Sequence, residues 1–177
     1  MVLLNKILSI GTLSIHIILL IFLISIIIIK VFHKRPPKFI TSIGHVIKKN
    51  GLVLALLLVV TGTVSSLAYS MLIGYEACVL CWVQRVLLFP QIIILGVALL
   101  KKYKDVFSYV LGLNIIGVIV SGYQYYAQLT GDATTCVINS VSCSLVQFTE
   151  FGYITIPMMA LTSFICVSIL VYYWDKN

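Results

Sequence analysis

Two cysteines separated by two residues stand at the start of a long apolar stretch. They are Cys78 and Cys81, in the segment CVLCWVQR that ends at Arg85. A helix that begins here brings its positive end and its unpaired N–H groups close to the sulfurs, which favours the thiolate form that attacks disulfides. The spacing also suits a static disulfide or half a zinc site, but zinc requires four ligands and neither cysteine-bearing loop contains a histidine. A redox-active dithiol is the favoured interpretation, and no metal site is predicted.

Arg85 follows Cys81 by four residues, which is about 6 Å along a helix that rises ~1.5 Å per residue. It therefore lies on the same helix face as Cys81 and slightly deeper in the apolar stretch. One interpretation is an arginine that extends back toward the lipid head groups, which is common in membrane helices. Beside a dithiol, we favour the alternative that Arg85 stabilises the reduced, anionic form of an oxidant next to Cys81.

The composition indicates which elements position these residues. Of the 177 residues, 61% are hydrophobic and 10% are charged, with a mean hydropathy of +1.14, which indicates an integral membrane protein. We predict an all-α membrane protein, with a four-helix transmembrane bundle in residues 51–177 and one extra N-terminal transmembrane helix with a basic linker in residues 1–50. The five stretches long enough to cross a hydrocarbon core of ~30 Å are Ile7–Ile29, Leu52–Ile73, Val79–Leu100, Val106–Leu129 and Tyr153–Trp174.

The net charge of +7 is distributed unevenly over the connections between these stretches. The basic connections carry Lys30, Lys34, Arg35, Lys38, Lys48 and Lys49 after the first stretch, and Lys101, Lys102 and Lys104 after the third. The loops 74–78 and 130–152 contain no lysine or arginine. The positive-inside rule therefore predicts a multi-pass plasma or inner membrane protein with the N-terminus and both cysteine-bearing loops outside and the C-terminus in the cytoplasm. This distribution is not that of a nucleic-acid-binding protein.

A second pair of cysteines, Cys136 and Cys143, is separated by six residues in the loop 130–152. It is either a permanent disulfide of the loop or a second redox pair. The second interpretation is favoured because the pair faces the same oxidising compartment as the CxxC motif. The mixed polar and apolar segment after Cys143 fits either a short helix in the membrane interface or a loop packed on the bundle.

The other polar residues and the cysteine within the apolar stretches are predicted to have structural roles. Cys166 is predicted to be a buried small hydrophobic residue. Hydrogen bonds between helices are predicted for His16, Gln84, Gln91, Asn114 and Gln124.

The first stretch has two interpretations, a cleaved secretory signal peptide and a retained span. We favour the retained span, because about 23 apolar residues are long for a signal peptide and basic residues follow them. In the linker 31–50, Pro36 and Pro37 end any helix that continues from the first stretch. The part from Phe39 to Lys49 then lies either on the inner membrane surface or in a solvated loop.

Taken together, these residues resemble the DsbB/BdbC family of disulfide-bond-formation membrane proteins over about residues 51–177. The carrying features are the CxxCWxQR pattern that ends at Arg85, the outer cysteine pair, and Phe151-Gly152-Tyr153 leading to Pro157. The resemblance implies a four-helix bundle that reoxidises a DsbA-like thioredoxin-fold partner outside the cytoplasm. It also implies that the electrons pass to a membrane quinone, either menaquinone or ubiquinone.

The resemblance implies a role for each residue. Cys81 would face the quinone, and Arg85 would support quinone binding. Cys78 would exchange with the outer pair, in which Cys136 would form the mixed disulfide with the partner and Cys143 would link back to Cys78. The close spacing of the outer pair resembles the short-loop Gram-positive type, which departs from the long-loop members of the family.

Two other functions fit parts of the pattern. A vitamin K epoxide reductase-like quinone reductase also places a dithiol beside a quinone, but its CxxC motif is expected after the loop pair, whereas here it comes first. A non-enzymatic membrane scaffold or metal-binding protein would use the outer cysteines as structural disulfides, which should resist mild reduction.

Overall fold

The computed structural model describes residues 2–32, 38–101, 105–131 and 142–176. In these ranges the chain is all-helical and has no strand. Each helix includes a segment long and apolar enough to cross a membrane, so the predicted all-α membrane fold is confirmed. The helices are α1 (Val2–Phe32), α2 (Lys38–Met71), α3 (Val79–Lys101), α4 (Val106–Thr130) and α5 (Ile156–Asp175).

Helices α2 to α5 form a closed ring. α2 packs against α3 and α5, and α4 packs against the same two helices, while α1 packs on α5 outside the ring. The outward faces remain apolar, since Ile93 and Ile119 are 70% and 64% exposed, as expected for helices surrounded by lipid. The residues buried at the centre of the ring are Leu52, Ala55, Val59, Leu95, Ala98, Val106, Val110, Val167 and Val171.

The second helix begins earlier than the sequence predicts. Residues 38–50 are helical and continuous with the second span, so the prediction that they form a linker is wrong. The solvated loop that the sequence allowed is therefore not found there. Lysine is a good helix former, and no proline follows Pro37 in this stretch, so the helix continues beyond its apolar part. The remaining linker residues, 33–37, lie outside the described residues.

Gly117 allows α4 and α5 to approach closely. A Cβ atom at this position would stand 2.7 Å from three ring atoms of Phe164, which is 1% exposed. That distance is shorter than a carbon–carbon contact, and the buried ring has no free space to move into. The absence of a side chain at Gly117 therefore sets the separation of these two helices.

We expect Gly117→Ala to lower stability by about 1–3 kcal/mol, because the added methyl group overpacks the interface with Phe164. Thermal unfolding in detergent, followed by circular dichroism, measures the change. Gly112→Ala on the same helix is the matched control, since its Cβ meets nothing within 4 Å. The control should be neutral or slightly stabilising. Equal unfolding temperatures for the two variants would contradict the close approach.

Candidate functional site

The two cysteines of the CxxC motif lie in contact at the N-terminal end of α3. Cys78 directly precedes the helix and is 3% exposed, whereas Cys81 lies in its first turn and is partly exposed. Both are free thiols, and their Sγ atoms are 3.1 Å apart, within hydrogen-bond distance. The hydrogen bond to Cys81, and then burial, raise the pKa of Cys78. The expectation that the helix start lowers the thiol pKa is therefore wrong for Cys78.

A glutamine on α4 donates hydrogen bonds to both sulfurs. The Nε2 atom of Gln124 donates to Cys78 Sγ and to Cys81 Sγ, at 3.2 Å each. Its Oε1 atom accepts a 2.8 Å hydrogen bond from Nε2 of Gln84 on α3. The sequence predicted a hydrogen bond between helices for Gln124 but missed its contact with the dithiol. The sequence position of Gln124 could have indicated this contact. Gln124 lies within two turns of the C-terminal end of α4, near the level of Cys81 along the helices.

The loop between α4 and α5, predicted to lie outside, brings a third cysteine to the dithiol. Cys143 is disulfide-bonded and 1% exposed, and it packs with Cys78 in a small cluster that also includes Leu80 and Cys81. Its predicted partner, Cys136, lies outside the described residues. Three of the four cysteines predicted to be redox-active therefore lie together.

Side-chain hydrogen bonds hold this loop against the bundle. Nε2 of Gln147 donates to the carbonyl oxygen of Glu76 at 3.1 Å, and Nε2 of Gln128 donates to the carbonyl oxygen of Leu145 at 3.1 Å. Residues 142–155 form turns and irregular chain with no helix, so of the two structures that the sequence allowed, the packed loop is found. Phe151, with a φ of 52°, helps reverse the chain, which prevents a helix from continuing there.

The Arg85 side chain is buried between α2 and α3. It is 7% exposed, and its Nε and one terminal nitrogen donate to the hydroxyl and carbonyl oxygens of Ser66 at 2.9 Å each. The same terminal nitrogen also donates to the Ser70 hydroxyl. The guanidinium carbon lies 4.9 Å from the ring centroid of Trp82. These partners are neutral, so the positive charge is held in place without being cancelled.

A cavity of about 360 Å³ opens beside Cys81 and Arg85, among α1, α2, α3 and α5. Its volume is within the range of small-molecule sites, and most of its lining is apolar. Tyr69 also lines it, and its buried hydroxyl has no hydrogen-bond partner within the described ranges. This arrangement can hold a largely apolar molecule that accepts hydrogen bonds.

The two sulfurs differ in what they face. Cys78 and Cys81 both line a small cleft beneath the outer loop, with Glu76 and Gln147. Of the two, Cys81 also lines the larger cavity that contains Arg85. The dithiol therefore lies between the loop of Cys143 and the cavity.

Comparison with known proteins identifies the family of this chain. The family model described as "Disulfide bond formation protein DsbB" matches residues 48–174. The chain belongs to the DsbB family. Membership in this family implies disulfide oxidoreductase activity, and the match leaves α1 outside the family domain.

Several relatives of this chain are described as disulfide formation proteins. A "Probable disulfide formation protein" of Chlamydia caviae is 41% identical over 124 residues, covering 70% of this chain and 90% of the relative. The "SPbeta prophage-derived disulfide bond formation protein B" of Bacillus subtilis is 41% identical over 104 residues, covering 58% and 70%. A "Probable disulfide formation protein C 1" of Bacillus anthracis is 35% identical over 117 residues, covering 65% and 84%. No solved structure matches this chain significantly.

We expect Gln124→Leu to slow alkylation of the reduced dithiol by iodoacetamide about tenfold at neutral pH. Iodoacetamide reacts with the thiolate, and the substitution removes an N–H donor that stabilises it. A hydrogen bond to a charged group contributes about 1.5 kcal/mol or more, which corresponds to about tenfold less thiolate. Mass spectrometry of the peptide that contains Cys81, sampled over time, gives the rate.

Gln91→Leu is the matched control for this experiment. Gln91 also links α3 to α4, through a 2.8 Å hydrogen bond from its Nε2 atom to Oδ1 of Asn114, but this pair does not include the sulfurs. The control should react like the wild type. Equal slowing in both variants would mean that Gln124 acts on helix packing and not on the dithiol.

Proposed function

We propose that this DsbB-family protein reoxidises a DsbA-like thioredoxin-fold partner outside the cytoplasm and passes the electrons to a membrane quinone. The observation that carries this proposal is the position of Cys81, which touches Cys78 and Gln124 and lines the cavity that contains Arg85. Cys78 packs against Cys143 of the outer loop. An electron pair can therefore move from the loop to the cavity through adjacent sulfurs.

The proposed relay transfers an electron pair in three steps. In the first, a thiolate of the partner attacks the outer disulfide of Cys136 and Cys143, and the partner leaves with a disulfide while the outer pair becomes a dithiol. In the second, the Cys143 thiolate attacks Cys78 of an oxidised Cys78–Cys81 disulfide and releases Cys81 as a thiolate. Cys136 then attacks Cys143, which restores the outer disulfide and releases Cys78, so that the Cys78–Cys81 pair is a dithiol. In the third, the Cys78–Cys81 dithiol loses two electrons and two protons and closes to a disulfide again. When bound, a quinone supplies the acceptor for those two electrons and two protons.

The lining of the cavity fits a quinone. The two carbonyl oxygens of a quinone accept hydrogen bonds and cannot donate them, so the site must supply donors. Arg85 and the unpartnered hydroxyl of Tyr69 are such donors. The apolar walls suit the ring and the isoprenoid tail that menaquinone and ubiquinone share.

The proposed orientation has the dithiol on the extracytoplasmic face. The outer end of α3 carries Cys78, and the segments around it, 74–78 and 130–152, contain no basic residue, whereas the opposite ends of the spans are rich in lysine. By the positive-inside rule, the C-terminus is then cytoplasmic and the N-terminus outside, in the plasma or inner membrane. Disulfides persist in the extracytoplasmic compartment, which is where exported proteins acquire them.

We expect Cys81→Ser to reduce quinone reduction to the uncatalysed background, because the relay then lacks the sulfur that lines the cavity. The assay mixes purified protein with a reduced thioredoxin-fold partner and quinone, and follows quinone absorbance. Cys166→Ser is the control, since Cys166 is 8% exposed within α5 and should be dispensable. A rate that survives loss of Cys81 would contradict the relay. A loss of thermal stability with unchanged electron flow would favour structural disulfides in a scaffold.

We expect Arg85→Met to raise the KM for quinone about tenfold or more, because a hydrogen bond from a charged donor contributes about 1.5–3 kcal/mol. The rate of disulfide exchange between the outer pair and the partner should not change. Arg85→Lys retains the charge and should lose less. Ser70→Ala removes one partner of the guanidinium but keeps the charge, so it should resemble the wild type if the charge itself is what matters. If Arg85→Met leaves the KM unchanged, Arg85 does not contact the quinone.

A further inference from the structure

The first helix contributes one side of the cavity, although it lies outside the family domain. The family match begins at residue 48, whereas α1 ends at Phe32. The α1 residues that line the cavity recur every three or four positions and therefore share one helix face. They are Ile7, Leu8, Gly11, Thr12 and Ile15.

His16 fastens α1 to the family domain. Its Nδ1 atom lies 3.1 Å from the Tyr153 hydroxyl, its Nε2 atom lies 2.7 Å from Oγ1 of Thr162, and its ring stacks on that of Tyr153 at 5.8 Å between centroids. Thr162 already donates its own proton to the carbonyl oxygen of Met158 at 2.8 Å. Thr162 must therefore accept from Nε2–H of His16, which leaves Nδ1 of the neutral ring to accept from Tyr153. The predicted hydrogen bond between helices is confirmed for His16.

The two hydrogen bonds orient the cavity-lining face of α1. Ile15 and Thr12 adjoin His16 on the helix and face the cavity. Thr162 of α5, the acceptor for His16, lines the same cavity and is 5% exposed. The Thr12 hydroxyl donates to the carbonyl oxygen of Leu8 in its own helix, at 2.9 Å. The wall that α1 presents is therefore mainly apolar, and the donors Arg85 and Tyr69 belong to other helices.

We propose that α1 is the lateral wall of the quinone cavity, with His16 as the positioning residue that holds this wall against α5. This inference rests on the proposed function. Loss of the wall exposes that side of the cavity to lipid tails, which compete with the quinone for its apolar contacts. The disulfide exchange steps do not involve α1, since Cys78 and Cys143 pack together at the outer end of α3. The wall therefore affects quinone retention and not thiol chemistry.

The kinetic test measures kcat and the KM for quinone in His16→Leu, with reduced partner in excess. We expect the KM to rise about 3- to 15-fold, the effect of one hydrogen bond between membrane helices, with little change in kcat or in the exchange rate with the partner. His16→Gln can both donate and accept, so it should recover part of the loss. His45→Leu is the matched control, because His45 is exposed on α2 and does not line the cavity. An unchanged KM in His16→Leu, or an equal loss in kcat and exchange rate, would overturn the proposal.

A second measurement does not depend on turnover. A photoreactive azidoquinone is bound to the wild-type protein, irradiated, and mapped by mass spectrometry with and without excess unlabelled quinone. Competed labelling of the peptide containing Ile7–Ile15 supports the wall. Labelling of α3 near Cys81 without labelling of α1 would refute the wall and leave the proposed function intact. Absence of competed labelling at both places would count against the quinone site itself.

Discussion

The burial of the Arg85 guanidinium between α2 and α3 is the constraint on which the outer half of the bundle depends. A charge at this depth is costly unless its N–H groups are hydrogen-bonded. Ser66 and Ser70 meet that requirement from α2, so the outer ends of α2 and α3 are fixed to one another. Since these partners are neutral, the positive charge still acts on the cavity and on the nearby sulfur of Cys81. The same contacts that satisfy the arginine also define the site.

The two cysteines of the dithiol contact two different surroundings, the loop of Cys143 and the cavity that contains Arg85. Cys78 precedes α3 and packs under the outer loop against Cys143, whereas Cys81, three residues later, reaches the cavity. The CxxC spacing places the two residues nearly one helical turn apart, so their sulfurs can touch while only that of Cys81 also lines the larger cavity. Gln124 then fixes the pair from α4.

Hydropathy predicted the third and fourth spans to within one residue, because their ends coincide with short polar connections. The spacing of Cys78, Cys81 and Arg85 also identified the centre of the site. What the sequence did not provide was the rotation of each helix, since lipid-facing and buried positions are equally apolar in a membrane bundle. The contact of Gln124 with the sulfurs and the cavity-lining face of α1 depend on that rotation. The early start of α2 was missed for a different reason, because the basic residues that precede its apolar part indicated a linker.

Gln124 and Arg85 together bear on the direction of electron flow. An N–H donor and a nearby cation both stabilise a sulfur that carries negative charge. A disulfide is neutral and a weak hydrogen-bond acceptor, so it gains little from either. Both residues therefore stabilise the reduced pair relative to the disulfide and raise its reduction potential, by about 30 mV for each ~1.4 kcal/mol. In the proposed relay, a higher potential helps Cys78 and Cys81 to oxidise the outer pair, but it lowers the driving force for passing electrons to the acceptor. In the same proposal, the cation offsets this loss by stabilising the reduced, anionic acceptor, and Arg85 is placed to do so because it lines the cavity together with Cys81.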